Sequence, residues 1–395
     1  MGDASGRVPQ LDILRGVAIL LVLGRHLELA APSVAAPVRL LCGAWHRIGW
    51  TGVDLFFVLS GFLVSGLLFT EFQRHGSVQI GRFLLRRGFK IYPPFYVLLL
   101  ATALLWSRWP SLAAPLPADF VFVRGWLYEA LYLQNYGPAI WGHTWSLAIE
   151  EHFYFLLAAV VGLSLRWSRG GSRNPFRVIV PLALAVAVAA LGLRIATSLH
   201  SAYTHKTHLY PTHLRLDSLL WGVLLSYAYH FEREKLLRFA ARWRRLMVLG
   251  ALIFVAPALV WSLPSSPFLA TVGLTTIALG FAAALLVLIH TGARQPSGAA
   301  ASRLSAALAQ IGVYSYSIYL WHLPVQWWLP ELMRRHGVLA QASPTIAYLA
   351  VSVLYLGASI AGGIAMARIV ERPSLRLRDR LLPSRAGALA TGSTA

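Results

Sequence analysis

Apolar residues gather in ten long runs, at 11–30, 50–70, 91–107, 145–165, 178–198, 212–230, 246–263, 267–289, 307–329 and 345–368. A run of about 20 apolar residues is long enough to cross the hydrocarbon core of a bilayer as a helix. Backbone polar groups at that depth must be satisfied within the segment, which a helix does. The pattern therefore predicts an all-α, polytopic membrane protein with about ten transmembrane helices.

The connections between runs differ in charge. One group holds Arg74, Arg82, Arg86, Arg87 and Lys90, and the next Arg166, Arg169, Arg173 and Arg177. A third holds Arg233, Lys235, Arg238, Arg242, Arg244 and Arg245. Arg294 and Arg303 follow, then a tail with Arg372, Arg376, Arg378, Arg380 and Arg385. The connections between them, at 31–49, 108–144, 199–211 and 264–266, are poorer in Arg and Lys. The positive-inside rule then places both termini in the cytoplasm, and an even number of spans agrees. Only the 330–344 connection, with Arg334 and Arg335, runs against this assignment. The segment MGDASGRVPQ lacks the basic region and cleavage site of a signal peptide, so the first span is expected to act as an uncleaved insertion signal. The expected organisation is a cytoplasmic N-terminus (1–10), a transmembrane domain (11–373) and a disordered cytoplasmic tail (374–395), with no second soluble domain. The longest connection, Arg108 to Thr144, carries Trp109, Phe120, Phe122, Trp126, Tyr128, Tyr132, Tyr136 and Trp141. Such aromatics serve either as interfacial anchors or as a surface on which sugars stack.

Composition agrees: 57% hydrophobic, 13% charged, mean hydropathy +0.60. The net charge of +20 would suit nucleic acid, but the cations are dispersed over short loops, which argues against that partner. Lysine is scarce (Lys90, Lys206, Lys235) beside abundant Arg and Ala, a bias that fits a GC-rich bacterial genome; the expected location is a bacterial inner membrane. Cys42 is the one cysteine, so no internal disulfide or cysteine metal cluster can form. The histidines are not spaced as metal ligands, and HExxH, GxSxG and Walker signatures are absent.

Ionisable groups inside apolar runs are costly and tend to mark functional paths. The first run carries Asp12, Arg15, Arg25, His26 and Glu28. Arg15 and His26 are eleven residues apart, which on a helix is roughly 20° past three turns and ~16 Å along the axis. A cation and an imidazole, the side chain suited to proton transfer near neutral pH, thus share one face. The plain alternative is an arginine snorkelling to the headgroups and a surface histidine. In the second run Asp54 either complements a helix terminus or orients another group. Arg86, Arg87 and Lys90 precede Pro93 and Pro94. They read as a topology signal or as a clamp for a phosphate-rich ligand, with the prolines breaking or kinking the span. HTWSLAIEEHFYF places Glu150 and Glu151 between His143 and His152, and one glutamate could orient a histidine. Arg215 and Asp217 could pair with each other or with facing spans. Tyr316, Tyr319 and His322 lie in a run expected to end near Pro324.

In order along the chain stand R-x10-H (Arg15, His26), GVDLFFVLSGF, RR-x-x-K-I-x-P, HTWSLAIEEHFY, R-x-D-x-L-x-x-G (Arg215, Asp217, Gly222), SYSIYLWHLP and a final E-x-P (Glu371, Pro373). This series resembles the acyltransferase-3 family of integral-membrane acyltransferases, over nearly the whole chain. The resemblance implies ten membrane helices and transfer of an acyl group, often acetyl, from acyl-CoA to a hydroxyl. No cofactor is held permanently; acyl-CoA is a co-substrate. Acceptors implied are envelope or extracellular carbohydrates, with small natural products such as macrolides as the alternative. By the same resemblance, Arg15, Arg86, Arg87 and Lys90 would hold the CoA phosphates, and His26, with Glu150 and Glu151, would deprotonate the acceptor, directly or through an acyl-histidine. Asp54, Trp145, Arg215, Asp217 and His322 are the candidates for substrate binding. Two positions depart from the family pattern: Lys90 stands where an arginine is usual, and His152 where a glutamine is. Some members carry a C-terminal esterase-like domain; its absence here would mean direct acylation or a partner protein. From another class, a proton-coupled solute transporter would also bury charges, but the inverted repeats common in transporters are not evident.

Overall fold

The computed structural model describes residues 9–108, 122–168, 174–291, 299–337, 339 and 341–385. It is 85% helical, and no strand occurs among the described residues. The helices are α1 (Pro9–Arg25), α2 (Ala36–Ile48), α3 (Gly52–His75), α4 (Ile80–Arg108), α5 (Phe122–Ala130), α6 (Trp145–Trp167), α7 (Ile179–His200), α8 (Leu216–Phe231), α9 (Arg233–Val255), α10 (Pro257–Val260), α11 (Leu274–Thr291), α12 (Ala299–Val313), α13 (Ser315–Arg335), α14 (Pro344–Met366) and α15 (Arg372–Leu381). Seven helical stretches among the described residues are long and apolar enough to cross a membrane. The central helices α1 and α8 are shorter, at 17 and 16 residues, and α13, a continuous helix, is less apolar because it carries polar residues and two prolines. Each of the ten apolar runs is nevertheless mostly helical, although 307–329 is divided between α12 and α13 and 246–263 between α9 and α10.

Several boundaries differ from the sequence expectation, each for a local reason. α1 stops at Arg25, where Nα of His26 and Leu27 bond back three residues to Leu23 and Gly24 and tighten the last turn. The connection after it holds an extra helix, α2, which runs through one tight turn at Gly49–Thr51 into α3. α4 passes unbroken through Pro93 and Pro94, and α13 through Pro324 and Pro330. The basic cluster at 233–245 is the first half of α9, not a loop. The tail is structured as far as Arg385. Ser374 Oγ donates to the Phe89 carbonyl (2.5 Å), which Pro93 leaves free because it has no N–H. Arg86 binds Asp379 (3.0 Å) and the Leu382 carbonyl, and Arg82 binds the Pro383 carbonyl (2.5 Å). Trp109, Phe120, Arg169, Arg173, Arg294 and residues 386–395, all used in the sequence reading, lie outside the described residues.

Two helix crossings set the bundle. At α3–α8, a Cβ on Gly61 would lie 1.9 Å from the Leu219 carbonyl oxygen, and one on Gly222 would lie 2.1 Å from that of Val58. At α1–α12, the same construction brings Gly16 to 2.1 Å from the Leu308 oxygen and Gly312 to 1.8 Å from that of Asp12. Only glycine permits this approach. In lipid, where apolar surface alone does not drive helices together, close backbone packing does.

Two ion pairs with fully buried side chains tie α8 to its neighbours. Arg215 meets Asp54 of α3 at 2.7 Å, with Ser218 Oγ on the same carboxylate oxygen. Arg194 of α7 holds Asp217 with two bonds, 3.1 and 2.7 Å, while Thr275 of α11 donates to the same carboxylate at 2.9 Å.

Gly61→Ala and Gly222→Ala should each destabilise the detergent-solubilised protein by at least the ~1–3 kcal/mol typical of overpacking. Gly192→Ala, a position with open space around it, should be tolerated. Thermal unfolding followed by size-exclusion fluorescence tests this; equal melting of the three variants would refute the packing argument.

Candidate active site

α1, α3, α6 and α13 border two cavities, with α4 lining the first and residues 205–215 the second. The first, about 90 Å3, lies beside the start of α1 and is lined by Arg15, Arg87, Lys90, Glu150, Glu151 and Tyr154 among others. Arg87, Lys90 and Ile91 sit at i, i+3 and i+4 on α4, so they share the face that lines it. Arg86, one position earlier, faces the C-terminal segment and is engaged there. It is therefore not part of this cavity, contrary to the expectation that it joins a phosphate clamp. The Arg87 guanidinium lies over the Tyr154 ring, 5.5 Å from its centroid. Both carboxylates are held by tyrosines: Tyr154 donates to Glu150 (2.6 Å) and Tyr92 to Glu151 (2.9 Å). Three cations face two hydrogen-bonded carboxylates, so the chamber favours an anion.

The second cavity, about 210 Å3, lies beyond the end of α1. Its lining includes Arg25, His26, His143, Trp145, His205, Tyr210 and Arg215, and no acidic residue. Trp145 and Tyr210 stack with centroids 5.0 Å apart and planes 16° from parallel, a flat apolar wall. Arg25 is turned toward α2, with Nη1 3.0 Å from His46 Nε2. Arg215 keeps Nε and Nη1 without a partner among the described residues. The two cavities meet at Val53 and Tyr319, which line both.

The structure thus brings Arg15, Arg87, Lys90, Glu150 and Glu151 together, and separately His26, Trp145 and Arg215. Glu150 does not face His26. His143, beside the His26 chamber, precedes Glu150 by seven residues, so Glu150 lies ~10 Å deeper along α6, in the cationic chamber. Asp54 and Asp217 line neither cavity; each neutralises a buried arginine. His322, wholly buried, packs against His26 with ring centroids 4.9 Å apart. His152 is turned away, bonded to Thr212 (2.7 Å) and stacked near Tyr136.

Glu129, which the sequence reading missed, shapes the loop that carries His143. Fully buried, its Oε1 accepts from the backbone N–H of Ile140 (3.0 Å) and Trp141 (3.1 Å) and from Thr144 Oγ1 (2.9 Å). An acidic residue in an aromatic outer segment was the available signal. Among the described residues no group of three or more His, Cys, Asp or Glu side chains is placed to hold a metal ion.

The protein is a polytopic helical bundle in which a chamber lined by Arg15, Arg87 and Lys90 adjoins a histidine chamber. The comparisons give the family: the acyltransferase domain matches residues 8–368, and the chain belongs to that family of acyltransferases. It is 29% identical over 334 residues to the peptidoglycan O-acetyltransferase OatA of Listeria monocytogenes, covering 80% of this chain and 49% of that protein. It is 26% identical over 331 residues to the O-acetyltransferase OatA of Staphylococcus aureus, covering 80% of this chain and 50% of that protein. The chain thus spans about half the length of these relatives. No solved structure matches.

Glu129→Ala strips the buried N–H groups of Ile140 and Trp141 of their acceptor, while Thr144 Oγ1 keeps the Trp141 carbonyl, and should cost on the order of 2–4 kcal/mol. The expected result is a clearly lower thermal midpoint of the detergent-purified protein. An unchanged midpoint would show that the 140–144 loop does not depend on this carboxylate.

Proposed function

We propose that this protein moves an acetyl group from acyl-CoA to a hydroxyl of a cell-envelope carbohydrate, across a bacterial inner membrane in which both termini are cytoplasmic. The observation that carries this reading is the meeting of the two cavities at Val53 and Tyr319, with Arg15, Arg87 and Lys90 on one side and His26 on the other. Acyl-CoA carries phosphates at one end and a thioester on a long arm. Arg15, Arg87 and Lys90 suit the phosphates, since guanidinium forks and an ammonium are the side chains that bind such groups. The arm would thread inward past Val53. An acceptor hydroxyl entering the outer chamber would find the Trp145–Tyr210 wall to lie against and His26 as general base. The orientation follows from the basic loops, and it puts the cationic chamber on the side where acyl-CoA is made. The names of the relatives support a carbohydrate acceptor, peptidoglycan in one of them.

In proteoliposomes supplied with radiolabelled acetyl-CoA and a glycan acceptor, label should move to the glycan. His26→Ala should lower that rate by ~10²–10⁴-fold, the range of general-base contributions, with donor binding retained. Near-normal turnover by His26→Ala would remove His26 from the chemistry. Movement of a solute without consumption of acetyl-CoA would point to a transporter.

Arg87→Lys keeps the charge that topology needs and loses the two-pronged hydrogen bond. Calorimetry on the detergent-purified protein should show acyl-CoA affinity weaker by roughly 1–2 kcal/mol, while Lys90→Arg is tolerated. Unchanged affinity in Arg87→Lys would reduce this residue to a topology signal.

A further inference from the structure

Three imidazoles meet where the two cavities adjoin. His322 stands between His26, at 4.9 Å between ring centroids, and His143, at 5.0 Å. His26 is part-exposed to the outer chamber; the other two are buried.

Backbone carbonyls assign the tautomers of the buried pair, because a carbonyl can only accept. His322 Nδ1–H donates to the Tyr319 carbonyl at 2.6 Å, and His143 Nε2–H donates to the Leu320 carbonyl at 3.1 Å. The Leu320 carbonyl is free for this because the residue four positions on is Pro324, which has no N–H. In the neutral rings, the remaining nitrogens, His322 Nε2 and His143 Nδ1, are bare lone pairs. Both are buried and have no partner among the described residues. Buried acceptors left without a donor are rare, and such an atom calls for an explanation. No carboxylate lines the chamber to fill the orienting role usual behind a catalytic histidine.

We propose that His322 is a positioning residue that accepts a proton from His26, so that two imidazoles perform the task that a carboxylate–histidine pair performs elsewhere. The proposal rests on the acyl-transfer reading above. The acceptor oxygen bonds to the acyl carbon while its proton goes to the bare nitrogen of His26. The hydrogen on the other nitrogen of His26 passes to Nε2 of His322, whose charge the Tyr319 carbonyl stabilises through Nδ1–H. The carbon–sulfur bond breaks and its electron pair leaves on the thiolate. The proton then returns from His322 through His26 to the thiolate, giving free CoA and two neutral rings.

His322→Asn keeps a donor near the Tyr319 carbonyl and removes the basic nitrogen, since its amide oxygen accepts hydrogen bonds but does not take up a proton. Its turnover should fall by about 100-fold or more, with acyl-CoA Kd within about twofold of wild type. In His322→Gly, added imidazole should restore turnover, and pyrrole, which is flat but not basic, should not. In the wild type, turnover measured across H2O–D2O mixtures should depend on deuterium fraction along a curve, as two protons in flight require. Wild-type turnover in His322→Asn, equal effects of imidazole and pyrrole, or a straight-line deuterium dependence would each overturn the proposal while leaving acyl transfer intact. A wild-type protein that consumes no acyl-CoA would overturn both.

Discussion

A guanidinium in an apolar helix bundle has two affordable states: paired with a carboxylate, or facing a cavity. Arg215–Asp54 and Arg194–Asp217 are the paired case, and together they draw α3, α7, α8 and α11 around one point. Removing one partner of such a pair would leave an uncompensated buried charge. The packing of four helices therefore depends on both carboxylates, and that is what Asp54 and Asp217 do. Arg87 is the other case, with Lys90 beside it, and Arg15 is intermediate, lining the same chamber with Asp12 3.8 Å away on its own helix. They line a chamber whose two carboxylates are each already held by a tyrosine. The division between structural and ligand-directed charge follows from which arginine has a carboxylate at 2.7 Å.

Proline supplies the second organising device. In α4 and α13 it does not end the helix. It removes an N–H and so releases the carbonyl four residues back. Pro93 releases Phe89, which takes Ser374 and docks α15 against α4. Pro324 releases Leu320, which takes His143 and fixes that ring. A segment distant in sequence is captured in each case by a carbonyl that an unbroken helix would have used itself. The side chains then have defined orientations without a charged group being placed in the apolar interior.

The helices were legible because a 20-residue apolar run in lipid has few alternatives, and the cationic face of α4 was legible because i, i+3, i+4 spacing places Arg87, Lys90 and Ile91 together. Depth was not. Glu150 and His26 looked like partners when each run was treated as one site, yet the seven residues between His143 and Glu150 move the carboxylate into the other chamber. Arg86 was grouped with Arg87 by charge, whereas roughly 100° of helix rotation separates their directions. Asp54 and Arg215 are 161 residues apart, and nothing in the local pattern distinguishes a pairing from a binding role. α15 was read as disordered tail because its helix depends on contacts with Arg82, Arg86 and Phe89 rather than on its own apolar content.

The junction at Val53 and Tyr319 joins these themes. The Tyr319 hydroxyl donates to the His143 carbonyl at 2.7 Å and lies 2.5 Å from Ser146 Oγ, while its own carbonyl accepts from His322. One residue thus forms part of the wall between the chambers, ties α13 to the start of α6, and sets the tautomer of the innermost imidazole. Because Arg15, Arg87 and Lys90 lie on one side of that wall and the histidines, with Arg25 and Arg215, on the other, an anionic donor and a hydroxyl acceptor would have no need to share an entrance. They would come within reach only at the wall itself, beside His26. On the proposed acyl-transfer reading, keeping a reactive thioester from water while serving an acceptor on the far side of a membrane would be helped by this separation. The reacting atoms would then meet where Val53 and Tyr319 line both chambers.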